Sequence, residues 1–257
     1  MAAWSPSQYL KFGDERLQPA QDLLARVPLL APDRVYDLGC GTGNGTRLLR
    51  ERWPGARIIG VDSSREMLAR ALGDVPGVEW SCTDMGDWRP PSKAELIFSN
   101  AALHWLPDHP VLFPRLVSWL APGGVLAVQM PRNFRAPAHS LIEQVVHGGQ
   151  WRRQLEPLLR PEPGHEPIRY LDWLQPHAHP ISIWETEYLH LLRGADPVKE
   201  WVKATWLKGL LDALDGEQKH EFEAEYAAVL RAAYPQRADG TTPFPFKRLF
   251  MVAQRKW

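Results

Sequence analysis

Val35-Tyr36-Asp37-Leu38-Gly39-Cys40-Gly41-Thr42-Gly43 decides how the rest of the chain is read. An apolar run carries an acid and then breaks into alternating glycines. Gly43-Asn44-Gly45-Thr46 leads into a helical pattern of Leu48, Leu49 and Trp53 that is closed by Pro54-Gly55. Strand, tight turn and helix form the opening unit of a doubly wound α/β domain. Glycine at alternate positions lets the backbone turn sharply and lets a ligand come close. The dinucleotide fingerprint G-x-G-x-x-G fails in both frames, because the sixth position is Asn44 counted from Gly39 and Thr46 counted from Gly41. Asp37 instead brings a negative charge to the turn, which repels phosphate and suits a cationic group. A purely structural strand-turn-helix, or an atypical dinucleotide site, stays open on this stretch alone.

Working outward, Arg57-Ile58-Ile59-Gly60-Val61-Asp62 reads as a second strand ending in an acid. Asp62 lies roughly where nucleoside-binding folds place a ribose carboxylate, about 20 residues past the glycine turn. A carboxylate accepts hydrogen bonds from both ribose hydroxyls. Ser63 or Ser64 then caps a helix. Val78 to Met85 reads as a third strand ending at Asp84, and Leu96 to Asn100 as a fourth. Asp37, Asp62 and Asp84 thus end successive strands, and ligands of open α/β sheets sit beyond those carboxyl ends. Leu112 to Leu120 gives an amphipathic helix. Ala121-Pro122-Gly123-Gly124 then opens a fifth strand, Val125 to Met130, which stops at Pro131.

Beyond Pro131, residues 132–180 are rich in proline, histidine and arginine, with helical pieces near 140–146 and 168–174. His177 and His179 are read as an exposed loop, since no carboxylate or cysteine joins them at ligand spacing. Ile181 to Tyr188 alternates as a strand, residues 197–234 give two helical runs, and Arg248 to Gln254 a last strand. With 257 residues, one elaborated α/β domain is expected. Lysine plus arginine equals aspartate plus glutamate, 30 each, and no long basic run occurs, which argues against a nucleic-acid substrate. Two cysteines, Cys40 and Cys82, are too few for a disulfide framework. No secretory leader and no spanning apolar stretch are seen, so a cytoplasmic protein without membrane or metal, monomeric or weakly oligomeric, is expected.

The D-x-G-x-G-x-G turn with its strand-end acids resembles motif I and its neighbours in the class I S-adenosylmethionine-dependent methyltransferases. The resemblance implies a Rossmann-like seven-stranded sheet with a helical substrate cap inserted between the last two strands. It divides the chain into a lid (1–27), a cofactor-binding core (28–131), cap elements (132–180 and 190–246) and C-terminal strands (181–188 and 248–255). It implies that Asp37, Gly39 and Gly41 bind the cofactor, whose ammonium and sulfonium suit the acid, and that Asp62 takes its ribose. Ser63, Met67, Asp84 and Met85 would line the adenine, and Asn100, His104 and Trp105 would lie near the methyl group. Trp4, Tyr9 and Arg16 would close over the cofactor. Each has a plainer alternative: aromatics packing a terminal helix, a core methionine, or a structural histidine.

A closer resemblance runs nearly end to end. Trp4-Ser5-Pro6-Ser7-x-Tyr9-Leu10, Trp105-Leu106-Pro107-Asp108-His109, Gln129-Met130-Pro131-x-Asn133, Trp201-Val202-x-Ala204-Thr205 and Arg248-Leu249-Phe250 are similar to the trans-aconitate 2-methyltransferases. That family moves a methyl group from S-adenosylmethionine to a carboxylate, leaving S-adenosylhomocysteine. The implied partner is a small polycarboxylic acid, gripped by cations of which Arg248 is the first candidate, followed by Arg132, Lys208 and Lys247, with Gln129 beside them. Solvated surface cations are the alternative for each. The chain departs from the family pattern at Thr42, Gly45, His104, Arg132, Thr205 to Gly209 and Lys247, mostly in the cap. An ionised carboxylate needs no general base. The rival readings are a hydroxyl or carbon methyltransferase with His104 as base, and a cofactor binder without transfer.

Overall fold

The computed structural model describes residues 13–203 and 205–257, without the side chains of residues 13–16. The expected lid residues Trp4 and Tyr9, and the Arg16 side chain, lie outside that description. Along the chain come α1 (Gly13–Ala25), β1 (Arg34–Leu38), α2 (Asn44–Arg52), β2 (Arg57–Asp62), α3 (Arg65–Asp74), β3 (Glu79–Cys82) and β4 (Ala94–Asn100). There follow α4 (His109–Ser118), β5 (Leu120–Pro131), α5 (Pro137–Gly148), α6 (Pro167–Leu174) and β6 (Ala178–Arg193). The last elements are α7 (Pro197–Lys203), α8 (Gly216–Ala233) and β7 (Thr241–Arg255).

Among the described residues the strands join one seven-stranded sheet in the order β3-β2-β1-β4-β5-β7-β6. β1 is parallel to β2 and β4, β3 to β2 and β5 to β4, whereas β7 runs antiparallel to β5. The strand order reverses between β1 and β4, and such a switch point opens a crevice at the carboxyl ends. β5 begins at Leu120, earlier than expected. Leu120 pairs with Ala94, the Pro-Gly-Gly stretch swells out, and pairing resumes at Val125 with Leu96. Gly123 makes the excursion possible with φ 73°. β6 and β7 also run longer than expected, through Pro180, Pro243 and Pro245.

The chain forms two compact units. The sheet unit comprises Gly13–Pro131, Gly164–Thr186 and Arg248–Trp257. Residues 164–180, expected among the cap elements, therefore group with the sheet. The reason lies in α6, whose Tyr170 is fully buried and shares a 2.7 Å hydrogen bond with His109 Nδ1 of α4. Tyr36, Leu38, Val61, Ile97, Phe113 and Met251 lie at the centre of this unit's core.

Among the described residues, the second unit takes Arg132–Pro163 and Glu187–Lys247. Its core joins Ile142, Trp151, Trp201, Phe222, Tyr226 and Phe244. A capping box, Asp215 with Gln218, starts α8. Tyr226 donates to the Ala138 carbonyl at 2.5 Å, and Tyr234 accepts from the Ala138 amide at 3.0 Å, tying α8 to the start of α5. No helix among the described residues is long and apolar enough to cross a membrane.

Candidate active site in the sheet unit

The glycine turn after β1 hangs from β2, whose Val61 carbonyl accepts from the amides of Gly39 at 2.8 Å and Cys40 at 3.1 Å. A Cβ on Gly39 would stand 2.1 Å from the Ala102 methyl carbon and 3.1 Å from Met85 Sδ, so the neighbouring chain requires glycine there. A Cβ on Gly41 would meet nothing within 4 Å: the turn has an open face at that residue, the kind of surface a ligand can approach. Asp62, the last residue of β2, clamps this turn. Its Oδ2 accepts from the Gly41 amide at 2.9 Å and its Oδ1 from the Ser64 amide at 2.8 Å. Ser64, rather than Ser63, caps α3, accepting from the Met67 amide at 3.3 Å.

Asp37 is buried beneath the turn and accepts from Thr46 Oγ1 at 2.6 Å. Burial pushes its carboxyl up to about 7, the Thr46 hydrogen bond holds it back, and the Asp62 charge adds a further upward push. Near neutral pH its charge is therefore only partly expressed, and a nearby cation that offsets the burial would favour the ionised form. Asp84 lies two residues past β3 and organises the next turn, Oδ1 accepting from the Gly86 amide at 2.8 Å. Met67 is buried on α3, whereas Met85 is half-buried beside Gly39.

Sequence reasoning missed two contributors. Thr46 reads only as a helix starter, yet it is the partner of Asp37. Trp80 reads as an ordinary strand aromatic, yet its ring covers the backbone of Gly60 and Gly43, where added Cβ atoms would come within 2.5 and 3.1 Å of it. A glycine in mid-strand at Gly60 was the available signal.

Polar side chains gather where β4, β5 and β7 lie side by side. Asn100 pairs with Gln129, Gln129 with Phe250, and Pro131 with Arg248. Arg248 is buried and donates from Nη1 to Gln129 Oε1 at 3.4 Å. Asn100 Oδ1 and Gln129 Nε2 are buried with no protein hydrogen-bond partner. His104 is buried with its ring 4.6 Å from that of Trp105. Burial first, then the charge of Arg248 and then His109, push its pKa down to about 3, so it stays neutral at physiological pH. No group of three or more histidine, cysteine, aspartate or glutamate side chains that could hold a metal occurs among the described residues.

The other expected cations belong to the second unit. Arg132 is half-buried, and its amide donates to the Lys247 carbonyl at 2.9 Å. Lys247 is exposed, and Lys208 pairs with Asp212 at 2.7 Å within one helical turn.

A family described as "Methyltransferase domain" matches residues 35–124, the stretch from β1 into β5. The trans-aconitate 2-methyltransferase of Azoarcus sp. (strain BH72) is 48% identical over 255 residues, covering 99% of this chain and 100% of that protein. The chain belongs to the trans-aconitate 2-methyltransferase family. The relative of the same name from Methylobacterium nodulans is 47% identical over 99% of both chains. Kinship with the trans-aconitate 2-methyltransferases therefore includes the second unit as well as the sheet. A solved S-adenosylmethionine-dependent methyltransferase from Mesorhizobium loti shares the fold, with a TM-score of 0.53, 22% identity, and coverage of 95% of this chain and 100% of that one. The fold is thus the Rossmann-like class I methyltransferase sheet.

Proposed function

We propose that this enzyme transfers the methyl group of S-adenosylmethionine to a carboxylate of trans-aconitate, forming a methyl ester. The observation that carries the reading is Arg248, a buried guanidinium beside Gln129 and a neutral His104. Full-length kinship to trans-aconitate 2-methyltransferases supports the same substrate class.

The sheet unit fits the cofactor on its own geometry. Gly41 leaves open space, Asp62 keeps acceptor capacity beyond its two amide bonds, and Asn100 Oδ1 is an orphaned buried acceptor. Asp62 would take the ribose hydroxyls, Asp84 the adenine amine, and the Asp37 turn the cationic amino-acid end. When bound, S-adenosylmethionine supplies a methyl group activated on a sulfonium.

The protein's work is then to hold a carboxylate oxygen close to that methyl group and in line with its bond to sulfur. Arg248 binds the acceptor through charge-assisted hydrogen bonds, which strengthen when water is excluded. Gln129 Nε2 adds a neutral donor. No proton is removed, because a carboxylate is ionised near neutral pH. His104, with a pKa near 3, is too weakly basic to deprotonate a hydroxyl or carbon acid effectively, which disfavours the rival acceptors. Among the remaining cations, Lys208 already faces Asp212 and Lys247 is exposed, so their support as substrate ligands is weaker.

Incubation with methyl-labelled S-adenosylmethionine and a panel of di- and tricarboxylic acids tests the reading. A base-labile labelled ester from trans-aconitate is expected. Label only in an ether or a carbon-methyl product, or no product from any acid, would overturn it.

A further inference from the structure

We infer that β6 of one chain pairs edge to edge with β6 of a second copy, along Glu187 to Arg193 in the second unit. Such pairing is independent of methyl transfer and uses none of the residues assigned to it. Among the described residues β7 is the one strand beside β6, and no described strand lies along its other edge. An open edge is a template for a further strand, and folded proteins commonly defend it with lysine, proline or an inward-pointing charge. Glu187 to Arg193 holds neither lysine nor proline, and its two charges stand at its ends. Its outward side chains are Glu187, Leu189, Leu191 and Arg193, with Leu189 63% and Leu191 52% exposed. The alternate side chains turn the other way: the His190 ring stacks 5.1 Å from that of Trp201, and Leu192 is buried.

The occupant is a second copy because the outward row is complementary to itself. Antiparallel pairing about His190 sets position 187 opposite 193 and position 189 opposite 191. Each Glu187 then faces Arg193 of the other copy, and each Leu189 faces Leu191, so an ion pair closes each end of a patch of four leucines. Arg193 donates from Nη1 to the Asp239 carbonyl at 3.2 Å, and the rest of its fork remains for a carboxylate. A slip of one residue would set the exposed leucines against the buried face of the other strand, which pins the register. The contact is isologous and closes at two chains.

Sedimentation velocity of the full chain over a range of concentrations tests the pairing. The parent is expected to move from one chain toward two as concentration rises, and to dissociate more readily in about 0.5 M salt, which screens the ion pairs. Glu187→Arg sets arginine against arginine, and Arg193→Glu sets glutamate against glutamate, so either change alone should raise the dissociation constant by about tenfold or more. Mixed in equal amounts, the two variants should form a heterodimer, because every arginine then meets a glutamate. Glu187→Arg combined with Arg193→Glu should recover the homodimer for the same reason. Arg193→Glu also gives up the Asp239 contact, so melting curves accompany it, and Glu187→Arg leaves that contact in place. A parent that stays a single chain up to about 1 mM would overturn the pairing and leave the edge to solvent or to another protein. A dimer indifferent to both charge reversals would overturn it as well and place the contact on another surface.

Discussion

Within the sheet unit, the acids at the ends of β1, β2 and β3 and the amides where β4, β5 and β7 lie side by side handle buried polarity differently. In the sheet unit, Asp62 makes two amide hydrogen bonds, Asp37 takes the Thr46 hydroxyl and Asp84 the Gly86 amide, all without a ligand. Where β4, β5 and β7 lie side by side, Asn100 Oδ1 and Gln129 Nε2 are buried with no protein hydrogen-bond partner. The acids of the first region are already partnered by the chain itself, and the amides of the second still have a donor and an acceptor to offer. Arg248, buried and donating to Gln129, belongs to this second region.

The sharpest way to break that contrast is Arg248→Ala. Removing one buried charge partner costs on the order of 2–5 kcal/mol, so kcat/KM for trans-aconitate should fall by roughly thirtyfold to several thousandfold. Calorimetric titration should show S-adenosylhomocysteine binding as before, and a lost cofactor affinity would move Arg248 into the first region. Asp62→Ala is the converse test. It removes acceptors that hold Gly41 and Ser64, and cofactor affinity should weaken by about 1–3 kcal/mol. Unchanged affinity in calorimetry would remove Asp62 from the ribose assignment.

A smaller effect per unit of pH concerns Asp37. Its folded pKa, about 7, stands above the ordinary 3.8, so the folded chain keeps a proton that the unfolded chain releases between those values. This contribution to stability is full at the acid end and is lost as pH rises to about 7, at up to about 1.4 kcal/mol per pH unit. Asp37→Asn should flatten that part of the profile in denaturant titrations. A cationic cofactor favours the ionised form, so below pH 7 its binding should release a proton and tighten with rising pH. A parent and variant with parallel pH profiles would refute the buried-carboxyl account. Smallest of all, Lys208→Ala should change KM by less than about twofold, since an exposed pair within one helical turn is worth roughly 0.3–0.5 kcal/mol.

The sheet unit was largely legible in the sequence. The Asp37-to-Gly43 turn, the acids that close β2 and follow β3, and the apolar runs between them are local patterns, and each obeys one period or one turn rule. The start of β5 was hidden because Pro122, Gly123 and Gly124 signal a turn, and only pairing with β4 on both sides shows that the turn is a swelling within a strand. The lengths of β6 and β7 were hidden by prolines that the strands tolerate. Arg248 was named as a cation, but its burial comes from chain segments remote in sequence. Asn100 was named only for its place at the end of a strand, because an unmet hydrogen bond belongs to the folded surroundings and leaves no mark on the residue.

The Asp62 clamp has a kinetic consequence. Its two hydrogen bonds fix the Gly41 amide and the start of α3 before anything binds, so the cofactor finds a turn that needs no ordering. Arrival should then proceed in a single phase whose rate rises linearly with cofactor concentration. Loosening the clamp should add an ordering step, seen as slower arrival or as a phase whose rate levels off with concentration.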